Sequence, residues 1–245
     1  MEVTAVCHVH SEWSYDAKWT LAELSEKFRR RGVRVLMMTE HDRGFSPQRF
    51  EEFRRACAAV SSEKILVVPG IEYSDGANRV HVLTWGPIPF LGENLPTAVM
   101  LEEVRQAKGV AVFAHPSRKR AYECFAPYWA ERLLGIEAWN RKYDGWAPSE
   151  TSPALLQQSK LVPFVGLDFH TQRQSFPLTM TFDIQGEINE ANVLECLRAR
   201  RCSARAFGAP LQQNLWVKAA PMLRMAERGR SAAASLVRKT RVLSR

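Results

Sequence analysis

The sequence predicts an α/β fold with its chemistry gathered at one end of the strands, and three observations carry that expectation. Short, almost continuously apolar runs alternate with amphipathic stretches along the chain. That is the pattern of strands buried on both faces in a parallel sheet with helices packed against it. Neither GxGxxG nor GxxxxGK[ST] occurs, so dinucleotide-binding and P-loop architectures lack their signature. Five of the six histidines fall at or just beyond the end of a strand-like run, and the sixth, His81, falls inside one. This favours a barrel, where one face collects the strand ends, over an open doubly wound sheet.

The first run, 3–9, leads into His8-Val9-His10. A strand period of two points both rings to one side and Val9 to the other, and Asp16 follows in the loop. Thr20-Leu-Ala-Glu reads as a capping box opening a helix over 20–31. The run 33–38 delivers Thr39-Glu40-His41-Asp42, and a helix is expected over 46–61. The run 65–68 delivers Pro69-Gly70-Ile71-Glu72, where Gly70 lets the backbone turn sharply before an inward carboxylate. A strand over 80–85 holds His81, a helix follows over 96–108, and the run 110–114 delivers His115. A helix is expected over 121–134 and a strand over 135–139, with Glu137 and Asn140 facing a substrate. A helix over 149–160 precedes the run 161–167, which delivers Asp168-Phe169-His170, and a last helix is expected over 189–200.

Hydrophobic residues at 46% and charged residues at 24% suit a soluble globular chain. No uncharged apolar run nears the length of about 18 residues that a membrane span needs. The start, MEVTAVCHVH, has neither the basic nor the long apolar region of a signal peptide. Five cysteines without a CxxC pair argue against a disulfide scaffold or a zinc ribbon. A cytoplasmic location is therefore expected. The net charge of +8 is local: residues 211–245 hold eight Lys/Arg against one acid, Glu227. The body, residues 1–210, is nearly neutral and gives no charge-based support for nucleic acid. Residues 211–245 read as a basic C-terminal helix or tail, with Leu223, Ala226, Ala233, Leu236 and Val237 at roughly helical spacing. Such a tail suits a terminal helix on the body, or contact with an acidic substrate, a membrane surface or nucleic acid.

Nine side chains form the candidate centre: His8, His10, Asp16, His41, Glu72, His81, His115, Asp168 and His170. A His/Asp/Glu set without cysteine suits divalent ions of borderline to hard character, and Zn²⁺, Mn²⁺ and Fe²⁺ all fit. Gathered at one barrel mouth without metal, these groups would each cost about 1–3 kcal/mol if left unpaired. Nine ligands exceed the needs of one or two ions and, with bridging carboxylates, suit three.

These residues resemble the PHP family, named for polymerases and histidinol phosphatases. The matches are His8-Val9-His10-Ser11 with Asp16, Thr39-Glu40-His41-Asp42, Pro69-Gly70-Ile71-Glu72, His81-Val82-Leu83, Ala114-His115-Pro116 and Gly166-Leu167-Asp168-Phe169-His170. They come in the family's order over residues 8–170. The resemblance implies a distorted (β/α)7 TIM-like barrel over residues 1–210 and a metal-dependent phosphoesterase with a trinuclear site. By motif, His8, His10, Glu72 and Asp168 would hold one ion. Glu72 would bridge to a second, held with His81 and His115, and Asp16, His41 and His170 would hold the third. Cys7 stands where the family usually has Leu and is read as strand packing. Glu40 replaces the usual Asp and is read as orienting His41 or balancing charge. The spacing of nine from Glu72 to His81 is closer to the family's nucleotide and oligonucleotide phosphoesterases than to its histidinol phosphatases.

The expected reaction is hydrolysis of a phosphomonoester, a nucleotide or a short oligonucleotide. Clustered cations would acidify a bridging water and neutralise charge developing on the phosphoryl oxygens. Glu72 and Asp42 are the catalytic candidates; Asp42 would be an acid, an outer partner of His41, or a plain strand-end acceptor. Arg118, Arg43, Lys142 and Arg173 are candidate phosphate clamps, each with the alternative of a solvated surface charge. Trp139, Trp146 and Tyr143 would stack on a nucleobase or pack the rim. Two other readings remain open at this point: an amidohydrolase-type C–N hydrolase, and a non-catalytic PHP module of a DNA replication or repair assembly.

Overall fold

A computed structural model describes residues 1–211, 218–230 and 232. The first sheet contains β1 (Glu2–Val9), β2 (Val35–Met38), β4 (Leu66–Val68), β10 (Leu178–Asp183), β11 (Cys202–Ala206) and β12 (Ala209–Pro210), in the order β12-β11-β10-β1-β2-β4. The second contains β3 (Glu40–His41), β5 (Gly70–Ser74), β6 (His81–Trp85), β7 (Val110–Phe113), β8 (Gly135–Asn140) and β9 (Val162–Gly166), in the order β3-β5-β6-β7-β8-β9. The helices are α1 (Leu21–Arg29), α2 (Pro47–Val60), α3 (Thr97–Gln106), α4 (Ser152–Ser159) and α5 (Glu190–Arg198); residues 218–230 are also helical.

The α/β class stands, but the strands do not close into a hydrogen-bonded barrel. The two sheets face each other across a shared core of Leu36, Met37, Val68, Leu83, Phe113, Phe164 and Phe182. At one seam residues 167–169 run beside the end of β1 through the parallel bridge Val9 to Phe169, with Leu167, Phe169 and His10 N–H groups donating to the Cys7, His8 and Phe169 carbonyls. At the other seam the chain itself crosses: only Thr39 separates β2 from β3 and only Pro69 separates β4 from β5, and each step leaves the first sheet for the second. Nor are the sheets all parallel. β6 runs antiparallel to β5 and β7, and β10 runs antiparallel to β1 and β11.

This topology corrects several sequence readings. His81 is the first residue of antiparallel β6, so it lies at the same end as the C-termini of the neighbouring strands. Gly70 makes no turn. A Cβ there would sit 2.4 Å from Trp85 Cδ1 and 2.5 Å from the Thr84 carbonyl, so the residue is fixed by close strand approach. The stretch 121–134 is not an α-helix but two 3-10 turns, Arg118–Cys124 and Pro127–Glu131. Pro127 holds Ala126 extended, and Lys119 and Arg120 take positive φ. The Thr20 capping box forms as expected, with the Glu23 carboxylate accepting from the Thr20 N–H at 2.9 Å.

The helical residues 218–230 lie against the 141–150 loop: Arg224 pairs with Glu150 at 3.0 Å, and Arg230 covers the Trp146 ring. Ala233, Leu236 and Val237 lie outside the described residues. Among the described residues no helix is long and apolar enough to cross a membrane.

Candidate metal centre

All nine side chains singled out in the sequence meet at one end of the seam. Glu72, on β5, is the hub. Its Oε1 lies 2.8 Å from His81 Nδ1 and 2.8 Å from His115 Nε2. Its Oε2 lies 3.2 Å from His41 Nδ1 and 3.4 Å from both His8 Nε2 and His10 Nε2. Asp168 Oδ1 stands 3.8 Å from His8 Nε2, 3.6 Å from His10 Nε2 and 3.2 Å from His170 Nδ1. Asp16 reaches in from its loop, 3.4 Å from His41 Nε2 and 3.1 Å from His170 Nε2. His8, His10, Glu72, His115, Asp168 and His170 are buried.

The backbone bends to bring them there. His8, His115 and Asp168 have φ of 61°, 25° and 48°, left-handed values that cost a non-glycine residue about 1–2 kcal/mol. At His8 the register of β1 against β2 slips between Cys7 and Val9. A bulge, not a regular alternation, therefore aims the HxH pair.

Outer partners fix which ring nitrogen faces inward. His8 Nδ1 is 2.8 Å from Glu137 Oε1; a carboxylate accepts, so Nδ1 carries a hydrogen and Nε2 is the nitrogen left to present a lone pair to an ion, once its own proton is lost. His81 Nε2 faces Asn78 Oδ1 at 2.7 Å, which leaves the Nδ1 lone pair towards Glu72. His10 Nδ1 meets Ser14 Oγ at 3.3 Å, and that hydroxyl already donates to Glu40 Oε2 at 2.5 Å. The inward Nε2 atoms of His8 and His10 are buried and have no hydrogen-bond partner. Lone pairs aimed at carboxylate oxygens repel unless a cation stands between them. Donors bound at about 2.0–2.2 Å to one ion lie roughly 3.0–3.5 Å apart, close to the spacings of His8, His10 and His41 about Glu72 Oε2. The donor set fits divalent ions.

The same demand shows in the titration of the groups. Burial opposes a charge on His8, but Glu137, Asp168 and Glu72 outweigh it and hold the imidazole well above its ordinary value. Burial also opposes a charge on His41, which Asp16 and Glu72 nonetheless push up to about 10. At His10 burial wins, helped by His170 and His41, and the ring titrates well below its ordinary value. Burial likewise lowers His81 to about 4. Burial would raise Glu72 and Asp168, but the surrounding histidines hold Glu72 well below the carboxylate range and, with Lys142, hold Asp168 at about 2.

The remaining candidates divide. Asp42 is buried, accepts from the Ser74 N–H at 3.1 Å and is raised to about 6 by burial. With Tyr15, His41, Arg43, Ser74 and His81 it lines a cavity of about 260 Å³ beside the centre. Lys142 Nζ enters the centre, 3.1 Å from Asp168 Oδ1. Arg118 sits one layer out, donating to the Asn78 carbonyl and Oδ1, each at 2.8 Å, and to Tyr143 Oη at 3.0 Å. Arg43 is exposed at the rim over the Tyr15 ring, which stacks on His41. Arg173 is exposed on the turn Gln172–Gln174 and forms no ion pair with the centre's carboxylates.

Glu137 and Asn140 do not face a substrate. Glu137 is fully buried; its Oε2 accepts from the His115 N–H at 2.7 Å and from Asn140 Nδ2 at 2.9 Å. Glu40 does not orient the His41 ring. It accepts from Ser11 and Ser14, and Ser14 Oγ in turn accepts from the His41 N–H at 3.0 Å. Trp139 is buried, donating to the Gly145 carbonyl, and Trp146 packs on Phe176, so both are rim packing. Tyr143 does border the centre, with its ring 4.8 Å from His115. Sequence reasoning missed Ser14, Asn78 and Tyr15, which carry no signal beyond proximity to a ligand in the chain.

No protein-family profile matches the chain, and no curated protein matches it in sequence. Solved structures do match. A two-domain protein from Bacteroides vulgatus containing a predicted PHP-like metal-dependent phosphoesterase aligns at TM-score 0.66 and 15% identity, over 91% of this chain and 70% of that one. PsfC from Pseudomonas syringae aligns at TM-score 0.63 and 14% identity, over 92% and 98%. The lesion-specific endonuclease PfuEndoQ from Pyrococcus furiosus aligns at TM-score 0.58 and 13% identity, over 81% of this chain and 56% of its own. The chain thus shares the fold of PHP-like metal-dependent phosphoesterases.

Proposed function

We propose that this chain hydrolyses a phosphate ester (a phosphomonoester, a nucleotide or a short oligonucleotide) with up to three divalent ions, Zn, Mn or Fe, held at the Glu72 centre. The observation that carries the reading is the set of inward imidazole lone pairs on His8, His10 and His81, fixed by Glu137, Ser14 and Asn78 and aimed at carboxylates. His8, His10, Glu72 and Asp168 would hold one ion; Glu72, His81 and His115 a second; Asp16, His41 and His170 a third. Ions bound there would supply an acidified water and Lewis-acid polarisation of the phosphoryl oxygens. The chain's own residues do the rest. Lys142, Arg118 and, at the rim, Arg43 offer cationic donors to a phosphate. Asp42, on the cavity wall beside His41, holds a proton for the leaving oxygen up to about pH 6. A bridging carboxylate at Glu72 rather than a lysine favours phosphate esters over amides. Residues 1–210 would form the catalytic body and 211–245 a basic appendage, and five cysteines free of disulfides suit the cytoplasm.

The test is elemental analysis of purified protein, joined to assays on a phosphomonoester, a phosphodiester and an amide. We expect metal-dependent ester hydrolysis. Loss of even an outer partner of a ligand costs about 10–100-fold, so Glu72→Gln is expected to lose more. Activity on the amide alone, or ester hydrolysis unchanged in Glu72→Gln, would overturn the reading.

A further inference from the structure

Lys142 is not placed as a surface lysine. The loop that carries it is tied down from both sides. Asn140 Oδ1 accepts from the Lys142 and Tyr143 N–H groups at 3.0 and 3.1 Å. Asp144 accepts from the Asn140 N–H at 2.8 Å and from Ser117 Oγ at 2.6 Å. Arg224 braces the far end of the loop through Glu150 and the Pro148 carbonyl. The side chain is 27% exposed, and its ammonium lies 3.1 Å from Asp168 Oδ1 and 3.3 Å from His170 Nε2. Those two atoms belong to different ion positions in the proposed assignment. Asp168 Oδ1 faces His8 and His10, whereas His170 Nε2 faces Asp16 and His41. Lys142 Nζ therefore stands between them, paired with Asp168 Oδ1 and lying over the His170 ring, 3.4 Å from Nδ1 and 3.3 Å from Nε2.

Resting on the metal-centre reading above, we propose that the Lys142 ammonium is a resident cation of the centre. It occupies the edge between Asp168 and His170 and weakens binding of the ion held by Asp16, His41 and His170. The centre thereby carries fewer ions at rest than its ligands could hold. A divalent ion on Asp16, His41 and His170 must sit beside a fixed positive charge, held by Asp168 over the face of one of its own ligands, in a largely buried site. The groups facing the ammonium are Asp168, His170 and the Tyr143 ring, whose centroid is 5.6 Å away. The nearest of them is a carboxylate, which holds the charge in place.

The test uses the full chain and Mn²⁺ alone. Wild type, K142M, K142Q and K142R are stripped with chelator and titrated calorimetrically, and bound Mn²⁺ is counted by elemental analysis. The two uncharged variants are expected to bind their weakest ion about ten- to hundredfold more tightly than wild type, with K142R following wild type. If either uncharged variant fails to fold, the other carries the comparison. Isotherms for K142M and K142Q that overlay a metal-binding wild type overturn this inference and leave the metal centre standing. A wild type that takes up no Mn²⁺ overturns both.

Discussion

His8 shows how much one outer contact decides. On the proposed reading its imidazole serves as an inward ligand only because Glu137 holds the hydrogen on Nδ1, and the two residues are 129 positions apart in sequence. The sequence shows Glu137 at a strand end but cannot show which way it points, because no local pattern encodes a contact of that separation. Gly166 completes the arrangement. A Cβ there would fall 1.8 Å from Glu137 Oε1 and 2.9 Å from His8 Cβ, so only glycine leaves the carboxylate its place. Glu137→Gln puts an amide where the His115 N–H, Asn140 Nδ2 and His8 Nδ1 all donate. Either a donor then meets a donor, at a cost of about 1–3 kcal/mol, or His8 moves its hydrogen to Nε2 and loses the inward lone pair. Metal affinity is expected to fall about 10–100-fold, as measured by competition with a chromophoric chelator. Gly166→Ala should reproduce that loss by displacing the same carboxylate. Should Gly166→Ala bind metal as tightly as wild type, the role given to Glu137 would be wrong.

At the scale of elements, the strand ends were legible and the way they turn was not. Apolar runs located β1, β2, β4, β6, β7, β8 and β9 to within a few residues, because buried strands need continuous apolar sequence. The one-residue steps at Thr39 and Pro69, which carry His41 and Glu72 into the second sheet, leave no compositional trace. The pair β10 and β11 could have been found: Leu178, Met180 and Phe182 alternate with the polar Thr179, Thr181 and Asp183 as an antiparallel strand requires. Element packing and site chemistry are separable by mutation. Gly70→Ala drives a Cβ into Trp85 and two backbone carbonyls at the start of β5. It is expected to cost about 2 kcal/mol or more and to weaken metal binding through Glu72, two residues on. Thr20→Ala removes the cap of α1, away from the centre, and should cost about 1 kcal/mol with metal affinity unchanged. Denaturant midpoints and metal titrations on the two variants read both effects. Equal metal binding in both would argue against Gly70 as a support of the site.

For the whole molecule, the centre couples the two sheets to pH and, on the proposed reading, to metal. In the metal-free chain the histidines pull stability in opposite directions around their ordinary value of 6.5. His41, pushed up to about 10, and His8, also raised, bind protons more tightly folded than unfolded. Their contribution is fully present below about 6.5 and is lost at higher pH, for His41 as pH rises through about 10. His81, lowered to about 4, and His10, also lowered, bind protons less tightly folded. Their neutral burial costs stability as pH falls below about 6.5, for His81 down to about 4. The histidines' net contribution to chelator-treated protein should therefore peak near pH 6.5, with a slope of up to about 1.4 kcal/mol per pH unit for each titrating proton. Ions at the centre need the same nitrogens deprotonated, so metal binding releases the protons of His8 and His41 and tightens as pH rises. The gap between metal-loaded and chelated melting temperatures should widen from about pH 6.5 to about pH 9. Thermal melts with and without chelator across that range check it. A chelated curve that stays flat above pH 6.5, or a gap that does not grow, would mean that His8 and His41 are not the groups whose protons the metal replaces.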